Sequence, residues 1–251
     1  MLYKSLIILA AASATLGATP KGFQPTTEAT LLVSYGSNIA ANGGNVLQKA
    51  ATQTAPTVGT QSKLDGTSFA VLMIDLDIPT NNPPATGTLL HWMQTGLTQN
   101  TRATAINSTT GTTNAFVLQN SKNQAAFAAY LGPAPPARVP LSHRYTQILV
   151  DTSNASANSL STLQTAASNR TNFNAMTVLT QAGLANKIIA ANFFNVTNST
   201  ATNGSGGSGR ATGTGSSATP TRTFVPGAAV SERASGMLLA IGLVGAVFLS
   251  L

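Results

Sequence analysis

The chain has 251 residues, a net charge of +7 and no cysteine. Without thiols it forms no disulfide and no thiolate site, so its fold must be stabilised by a hydrophobic core alone. Its thirteen Lys and Arg residues are scattered along the chain. Nucleic-acid-binding proteins carry a basic patch or stripe, and the scatter excludes that class.

Residues 1–18 have the pattern of a secretory signal peptide. Lys4 supplies the positive start, residues 6–12 are apolar, and small residues recur at Ala14 and Ala18. This order of charge, apolar stretch and small cleavage residues is typical of secretion signals. The alternative is a buried N-terminal helix.

Residues 19–197 predict one mostly β domain with one or two late helices. The run at 69–74 is apolar throughout, which indicates a strand covered on both faces. Phe173, Met176 and Leu179 recur at helical spacing before Gly183. The short apolar runs that predict strands lie at 31–35, 69–74, 89–97, 115–119, 144–150 and 188–194.

The remainder of the chain predicts a tether. Residues 198–227 are mostly Gly, Ser and Thr, a composition typical of a flexible stalk. Within residues 228–251, a polar spacer precedes an uncharged segment at 237–251. As a helix this segment reaches about 22 Å, short of the roughly 30 Å hydrocarbon core. We therefore expect a GPI-attachment signal that is removed, with a short single-span anchor as the alternative.

Six N-glycosylation sequons agree with secretion, each being only a weak surface marker. They lie at Asn107, Asn154, Asn169, Asn195, Asn198 and Asn203.

Polar residues whose side chains can bind a ligand lie at the ends of predicted strands. Asp75 and Asp77 close the apolar run before Pro79, and both histidines, His91 and His143, stand on strand-like segments. A proline-rich loop lies between the histidines at 132–136, and its prolines predict a stiff loop. Imidazole and backbone N–H groups can hold a phosphate or carboxylate, and a carboxylate can hold an ammonium. The pattern predicts a small-anion pocket with Asp75 in its wall.

Four ordered segments, FAVLMIDLDIP, LLHWMQTG, YLGPAPP and HRYTQILV, resemble the motifs of the phosphatidylethanolamine-binding protein family. That family reads D-P-D-x-P, L-H-W/F, Y-x-G-P-x-P-P and H-R-Y in the same order. The resemblance covers roughly residues 25–196. It implies a large central β-sheet packed with a smaller sheet and C-terminal helices, and a small anion pocket at one end.

The resemblance also implies roles for individual residues, with no catalytic residue, cofactor or metal. The implied ligand-binding positions are Asp75, His91, Ala134, Pro135, Pro136, His143 and Tyr145. Residues of the motifs that support them are Asp77, Pro79, Trp92, Gly132 and Arg144. The sequence departs from the family pattern at Leu76, Asn81 and Thr86, where a proline, an arginine and a pocket tyrosine are usual.

The function these features favour is a non-catalytic cell-surface binding protein of a fungal type, held to the membrane by a GPI anchor. Its partner would be a small anion or a phospholipid headgroup. One alternative is an inhibitor of serine carboxypeptidases, with a protease as partner. Others are an enzyme using the Asp/His cluster for acid–base or zinc chemistry, and a structural wall glycoprotein with a vestigial pocket.

Overall fold

The computed structural model describes residues 18–36, 38–40, 43–108 and 111–198. The predicted signal peptide, the stalk beyond residue 198 and the GPI-attachment signal lie outside these ranges, as does Asn203. No helix within the described ranges is long and apolar enough to cross a membrane.

The described fold is mostly β, as predicted, with one ten-stranded sheet, two α-helices and a 3-10 helix at Lys49–Thr52. The helices are α1, Ala157–Ser168, and α2, Ala175–Gln181. The strands are β1 Leu32–Tyr35, β2 Asn38–Ala40, β3 Asn45–Val46, β4 Thr57–Thr60, β5 Phe69–Pro79, β6 Thr86–Gln99, β7 Thr104–Ser108, β8 Gly111–Gln119, β9 Ser142–Asp151 and β10 Ile188–Thr197.

The strand order is β2-β1-β4-β8-β6-β5-β9-β10-β3, with β7 paired to β8. Long strands β6, β5, β9 and β10 are antiparallel neighbours, and β3 joins β10 in parallel. The shorter strands β2, β1, β4 and β8 connect to them through only two paired positions between β6 and β8. The expected smaller sheet is therefore continuous with the large one through this narrow junction.

Strand β5 runs through the core and is covered on both faces, as its apolar run predicted. Ala70, Leu72 and Ile74 pack on the side of the two α-helices. Phe69, Val71 and Met73 belong to the opposite cluster, which includes residues of β1 and β4. All six side chains are at most 1 % exposed. This position places the end of β5 between β6 and β9, where the polar residues lie.

Of the one or two late helices that were predicted, the sequence pattern did not locate α1, because it has few apolar residues and only Leu163 and Ala167 are buried. Its start is set by a polar cap, since the Ser156 side chain accepts a hydrogen bond from Ser159 N–H. Helix α2 begins at Ala175 with Asn174 as its cap, so it contains Met176 and Leu179 of the predicted helical pattern but not Phe173.

Candidate functional site

Four buried polar side chains meet at the end of β5, β6 and β9. Asp75, His91, His143 and Tyr145 are 2 %, 3 %, 1 % and 0 % exposed. The cross-strand register explains the meeting, because Asp75 on β5 lies opposite Leu89 on β6 and Tyr145 on β9. The structure thus brings together the four side chains that the sequence had placed in one pocket, but it covers them almost completely.

Asp75 is the centre of this cluster. His143 Nδ1 donates to Asp75 Oδ2 at 2.8 Å, and His91 Nε2 lies 3.8 Å from the same oxygen. The other carboxylate oxygen accepts from the Asp77 backbone N–H at 2.9 Å. His91 Nδ1 donates to the Leu131 carbonyl at 2.7 Å, so the proton of the neutral imidazole resides on Nδ1. One buried carboxylate therefore faces two imidazoles.

Three buried polar atoms around this carboxylate have no hydrogen-bond partner within the described residues: His91 Nε2, His143 Nε2 and the Tyr145 hydroxyl. The Tyr145 hydroxyl lies close to Asp75 and to the Ala134 backbone without forming a well-aligned hydrogen bond to either. Leaving such groups unpaired costs about 1–3 kcal/mol each. A cluster of them around one charge is the arrangement that a polar ligand would satisfy.

The protonation states make the Nε2 of His91 an acceptor and the Tyr145 hydroxyl a donor. Burial lowers the pKa of His91, and the nearby Arg170 charge acts in the same direction. Burial also raises the pKa of Tyr145, with the Asp75 charge adding to the effect, so its hydroxyl remains a donor at neutral pH. The Tyr145 ring holds both imidazoles in place, stacking on His143 and meeting His91 edge-on at 5.2 Å between ring centres.

We expect stability to fall as the pH decreases below the ordinary His value of 6.5. Because the pKa of His91 is lower in the folded protein, the unfolded chain binds a proton first and is favoured. The loss begins near that value and continues until the folded His91 also protonates. Urea unfolding from about pH 8 to about pH 5 measures it. His91→Gln should flatten this slope, and an unchanged slope in that variant would contradict the assignment.

Asp77 binds Arg144 rather than the histidines. Its Oδ2 accepts from the Arg144 backbone N–H and from Nε, both at 2.8 Å, and Oδ1 accepts from Nη2 at 2.7 Å. Burial opposes ionisation of Asp77, but these hydrogen bonds and the Arg144 charge outweigh it and lower its pKa. The pair fastens the end of β5 to the start of β9.

Pro79, an implied supporting residue, does not itself reverse the chain. It is the last residue of β5 and still pairs with Thr86. The reversal lies at residues 80–85, where the Thr80 hydroxyl donates to the Ala85 carbonyl. The implied supporting residue Trp92 points to the core, where it meets Tyr130 edge-on.

Hydrogen bonds from two side chains fix the loop at 132–136. The Gln53 side chain donates to the Pro133 carbonyl at 3.0 Å, and the Asn198 side chain donates to the Pro135 carbonyl at 2.7 Å. A Cβ on Gly132 would lie 2.8 Å from Gln53 Oε1, which explains a glycine at this point. Of the implied lining residues, Pro135 is buried whereas Ala134 and Pro136 are exposed. The segment borders the polar cluster, since the Ala134 backbone lies close to the Tyr145 hydroxyl and the Leu131 carbonyl accepts from His91.

Sequence reasoning missed three residues that shape the site: Arg170, Gln53 and Asn198. The Arg170 guanidinium donates to the Ala129 carbonyl at 2.8 Å and, at 3.3–3.4 Å, to the carbonyls of Leu90 and His91. No local signal reveals this role, because Arg170 and Asn198 appear in the sequence only as members of sequons.

The sequons differ in their surroundings. Asn154 and Asn169 are exposed. The Asn195 and Asn198 amides instead donate to the carbonyls of Gly44 and Pro135, at 2.6 and 2.7 Å. The side chain of Asn107 lies outside the described part of the chain. Within that part, no group of three or more His, Asp or Glu side chains is placed to hold a metal ion.

The chain belongs to the phosphatidylethanolamine-binding protein family, whose model matches residues 33–194, more than half of its length. It is 28 % identical to the phomoidride biosynthesis cluster protein N of Talaromyces stipitatus, over 59 % of this chain and 73 % of that protein.

Solved structures are similar at lower identity. A carboxypeptidase Y inhibitor, solved with its cognate proteinase, is 20 % identical with a TM-score of 0.46, over 69 % of this chain and 85 % of the inhibitor. A phosphatidylethanolamine-binding protein from Plasmodium vivax is 19 % identical with a TM-score of 0.46, over 70 % of this chain and 91 % of its own.

Proposed function

We propose that this protein is a non-catalytic binding protein whose cluster of Asp75, His91, His143 and Tyr145 holds a small anion of the phosphate or phospholipid-headgroup type. The observation that carries the proposal is the set of three unpartnered buried polar atoms around one carboxylate. Family membership agrees with it.

The roles follow from the contacts. His143 donates to Asp75 through Nδ1, which leaves its Nε2 as the ring nitrogen that can meet a ligand. The Tyr145 hydroxyl supplies a neutral donor. In a phosphoethanolamine ligand, Asp75 can also attract the ammonium group. We assign no catalytic residue, cofactor or metal to this cluster.

We infer that the protein is secreted and held at the cell surface, in the manner of a fungal GPI-anchored protein. The signal-peptide pattern, the Gly/Ser/Thr-rich stalk and the C-terminal apolar segment support this localisation. We also infer that Asn154 and Asn169 carry glycans in preference to Asn195 and Asn198, because the first two amides are exposed.

Calorimetric titration of the full secreted chain with inorganic phosphate and with phosphoethanolamine tests the binding proposal. We expect saturable binding that weakens about 10- to 100-fold in His91→Ala, since the Nε2 of neutral His91 can accept a hydrogen bond from a protonated phosphate oxygen, and a hydrogen bond to a charged group contributes about 1.5–3 kcal/mol. Lys63→Ala, an exposed cation outside the cluster, is the control and should bind as the parent does. Absence of heat at millimolar ligand in the folded protein would refute the proposal.

Inhibition and binding assays on the parent protein and on His91→Ala distinguish the alternative functions. A serine carboxypeptidase inhibitor would inhibit at nanomolar concentration, and that inhibition would survive His91→Ala. A wall glycoprotein with a vestigial pocket would show neither inhibition nor anion binding. The departures at Leu76, Asn81 and Thr86 are the reason to run both assays.

A further inference from the structure

A second concave region lies beside the polar cluster. This groove encloses about 630 Å³ and is bounded by the N-terminal segment 21–24, the ends of β5, β6 and β9, and the start of α2. Pockets that bury small organic ligands have volumes of about 300–1,000 Å³. The groove has ample volume for a small molecule with an apolar body.

The apolar part of the groove is formed by Phe23, Leu76, Phe173 and Met176. Phe23 and Phe173 are buried, and Leu76 packs partly against the helix-side core. Met176 is 39 % exposed, one of only four large apolar side chains that are exposed among the described residues. An exposed methionine in the wall of a concave apolar surface is a typical contact for a flexible apolar ligand.

The charged groups of the groove are all positive. Lys21 and Arg144 line it, and no Asp or Glu is among its lining residues. Within the described part of the chain, no carboxylate lies within the 4.0 Å of an ion pair with Lys21, since the ion pairs involve only Asp75 and Asp77. Arg144 uses Nε and Nη2 to bind Asp77, which leaves Nη1 able to donate elsewhere. The Thr86 and Thr88 hydroxyls donate to the Leu76 and Phe173 carbonyls, so they add only acceptors to the rim.

The groove is distinct from the Asp75 cluster because strand β5 separates the two. Leu76 lines the groove, whereas the preceding residue Asp75 faces the histidines. None of Asp75, His91, His143 and Tyr145 lines the groove. Binding at either site can therefore be removed by substitutions that do not touch the other.

We propose that this groove is a second ligand site, for a small amphiphilic anion: a single negative headgroup on an apolar chain. The headgroup is held by Lys21 and the unused Nη1 of Arg144, and the chain lies along Phe23, Leu76, Phe173 and Met176. A free carboxylic acid and a single-chain phosphate ester share this chemistry. The probes below separate these two sources.

The test is titration of the full secreted chain with decanoate, decyl phosphate and 1-decanol, each below its micelle-forming concentration. We expect saturable binding of one or both anions and at least about tenfold weaker binding of the neutral alcohol. Decanoate binding alone identifies a carboxylic acid, and decyl phosphate binding alone identifies a phosphate ester. If neither anion binds, or if the alcohol binds as tightly, the proposal is wrong.

Two groove variants and two controls locate the ligand. Met176→Glu places a carboxylate in the wall and should weaken anion binding at least about tenfold, because like charges repel. Lys21→Gln should weaken it less. Val139→Glu makes the same kind of change at a residue that is 76 % exposed and outside the groove, and should have no effect.

His91→Ala completes the test, since it should weaken phosphate binding and leave decanoate binding unchanged. Decanoate binding that is lost in His91→Ala but kept in Met176→Glu would place the amphiphile in the Asp75 cluster and overturn the second site. If the protein fails to bind phosphate but binds decanoate, the result bears only on the proposed function and leaves the second site standing.

Discussion

Asp75→Ala should lower the free energy of unfolding by about 2–6 kcal/mol, because it leaves the buried His143 Nδ1–H and the Asp77 N–H without their acceptor, at about 1–3 kcal/mol each. His143 donates to Asp75 at 2.8 Å while only 1 % exposed, and His91 shares the same oxygen. Neither imidazole has another described carboxylate within ion-pair distance. Urea denaturation at neutral pH measures the loss.

Asp65→Ala is the matched control for this substitution. Asp65 is exposed and forms no ion pair with a described residue, so its removal should change stability by no more than about 0.5 kcal/mol. Asp75→Asn keeps the size and one acceptor oxygen and should fall between the two. If Asp75→Ala were as stable as the parent, the cost of leaving polar groups unpaired around Asp75 would equal the stabilisation by its own hydrogen bonds. Binding sites that trade stability for function show such a balance.

Arg170→Ala should destabilise the protein by about 1.5–3 kcal/mol and weaken anion binding as well. Its guanidinium donates to carbonyls on β6 and at Ala129, so it joins the strand that bears His91 to the segment leading into the proline-rich loop. Arg170→Lys should not restore stability, because an ammonium cannot reproduce the planar fork of donors. Both substitutions keep the Asn169 sequon intact.

Arg102→Ala, at an exposed arginine, is the control for loss of a cation and should be neutral for stability and binding. A second readout separates positioning from general destabilisation. Because the Arg170 charge contributes to lowering the pKa of His91, its removal should raise that pKa in an NMR titration. An unchanged His91 pKa together with unchanged phosphate affinity would show that Arg170 serves the fold alone.

The strongest strands and the motif residues could be predicted from the sequence because their signals are local. Six consecutive apolar residues at 69–74 indicate a strand covered on both faces, and each of them is buried. The four ordered motifs indicated the family, and the family model matches the same region. Helix α1 and the short strands β2, β3, β4 and β7 lack such local patterns, and their places depend on what they pack against or pair with.

The supporting contacts of the site could not be predicted, since they join residues far apart in the chain. Arg170 meets the carbonyl of His91 79 positions away, and Asn198 meets that of Pro135 63 positions away. No sequence pattern marks either residue, because a hydrogen bond to a backbone carbonyl places no demand on the identity of the residue that bears the carbonyl. The partner of Asp77 was equally hidden, since Arg144 lies 67 positions away on β9.

The chain alone therefore indicates the family, the mostly β character and the candidate site residues. The tertiary structure determines the solvent exposure of the site and the distant residues that support it. The proline-rich loop is held beside the polar cluster because Gln53 and Asn198 donate to its carbonyls from two sides. The groove at Leu76 likewise exists only where the segment at 21–24, three strand ends and α2 come together. Both features depend on long-range packing, which local sequence patterns do not encode.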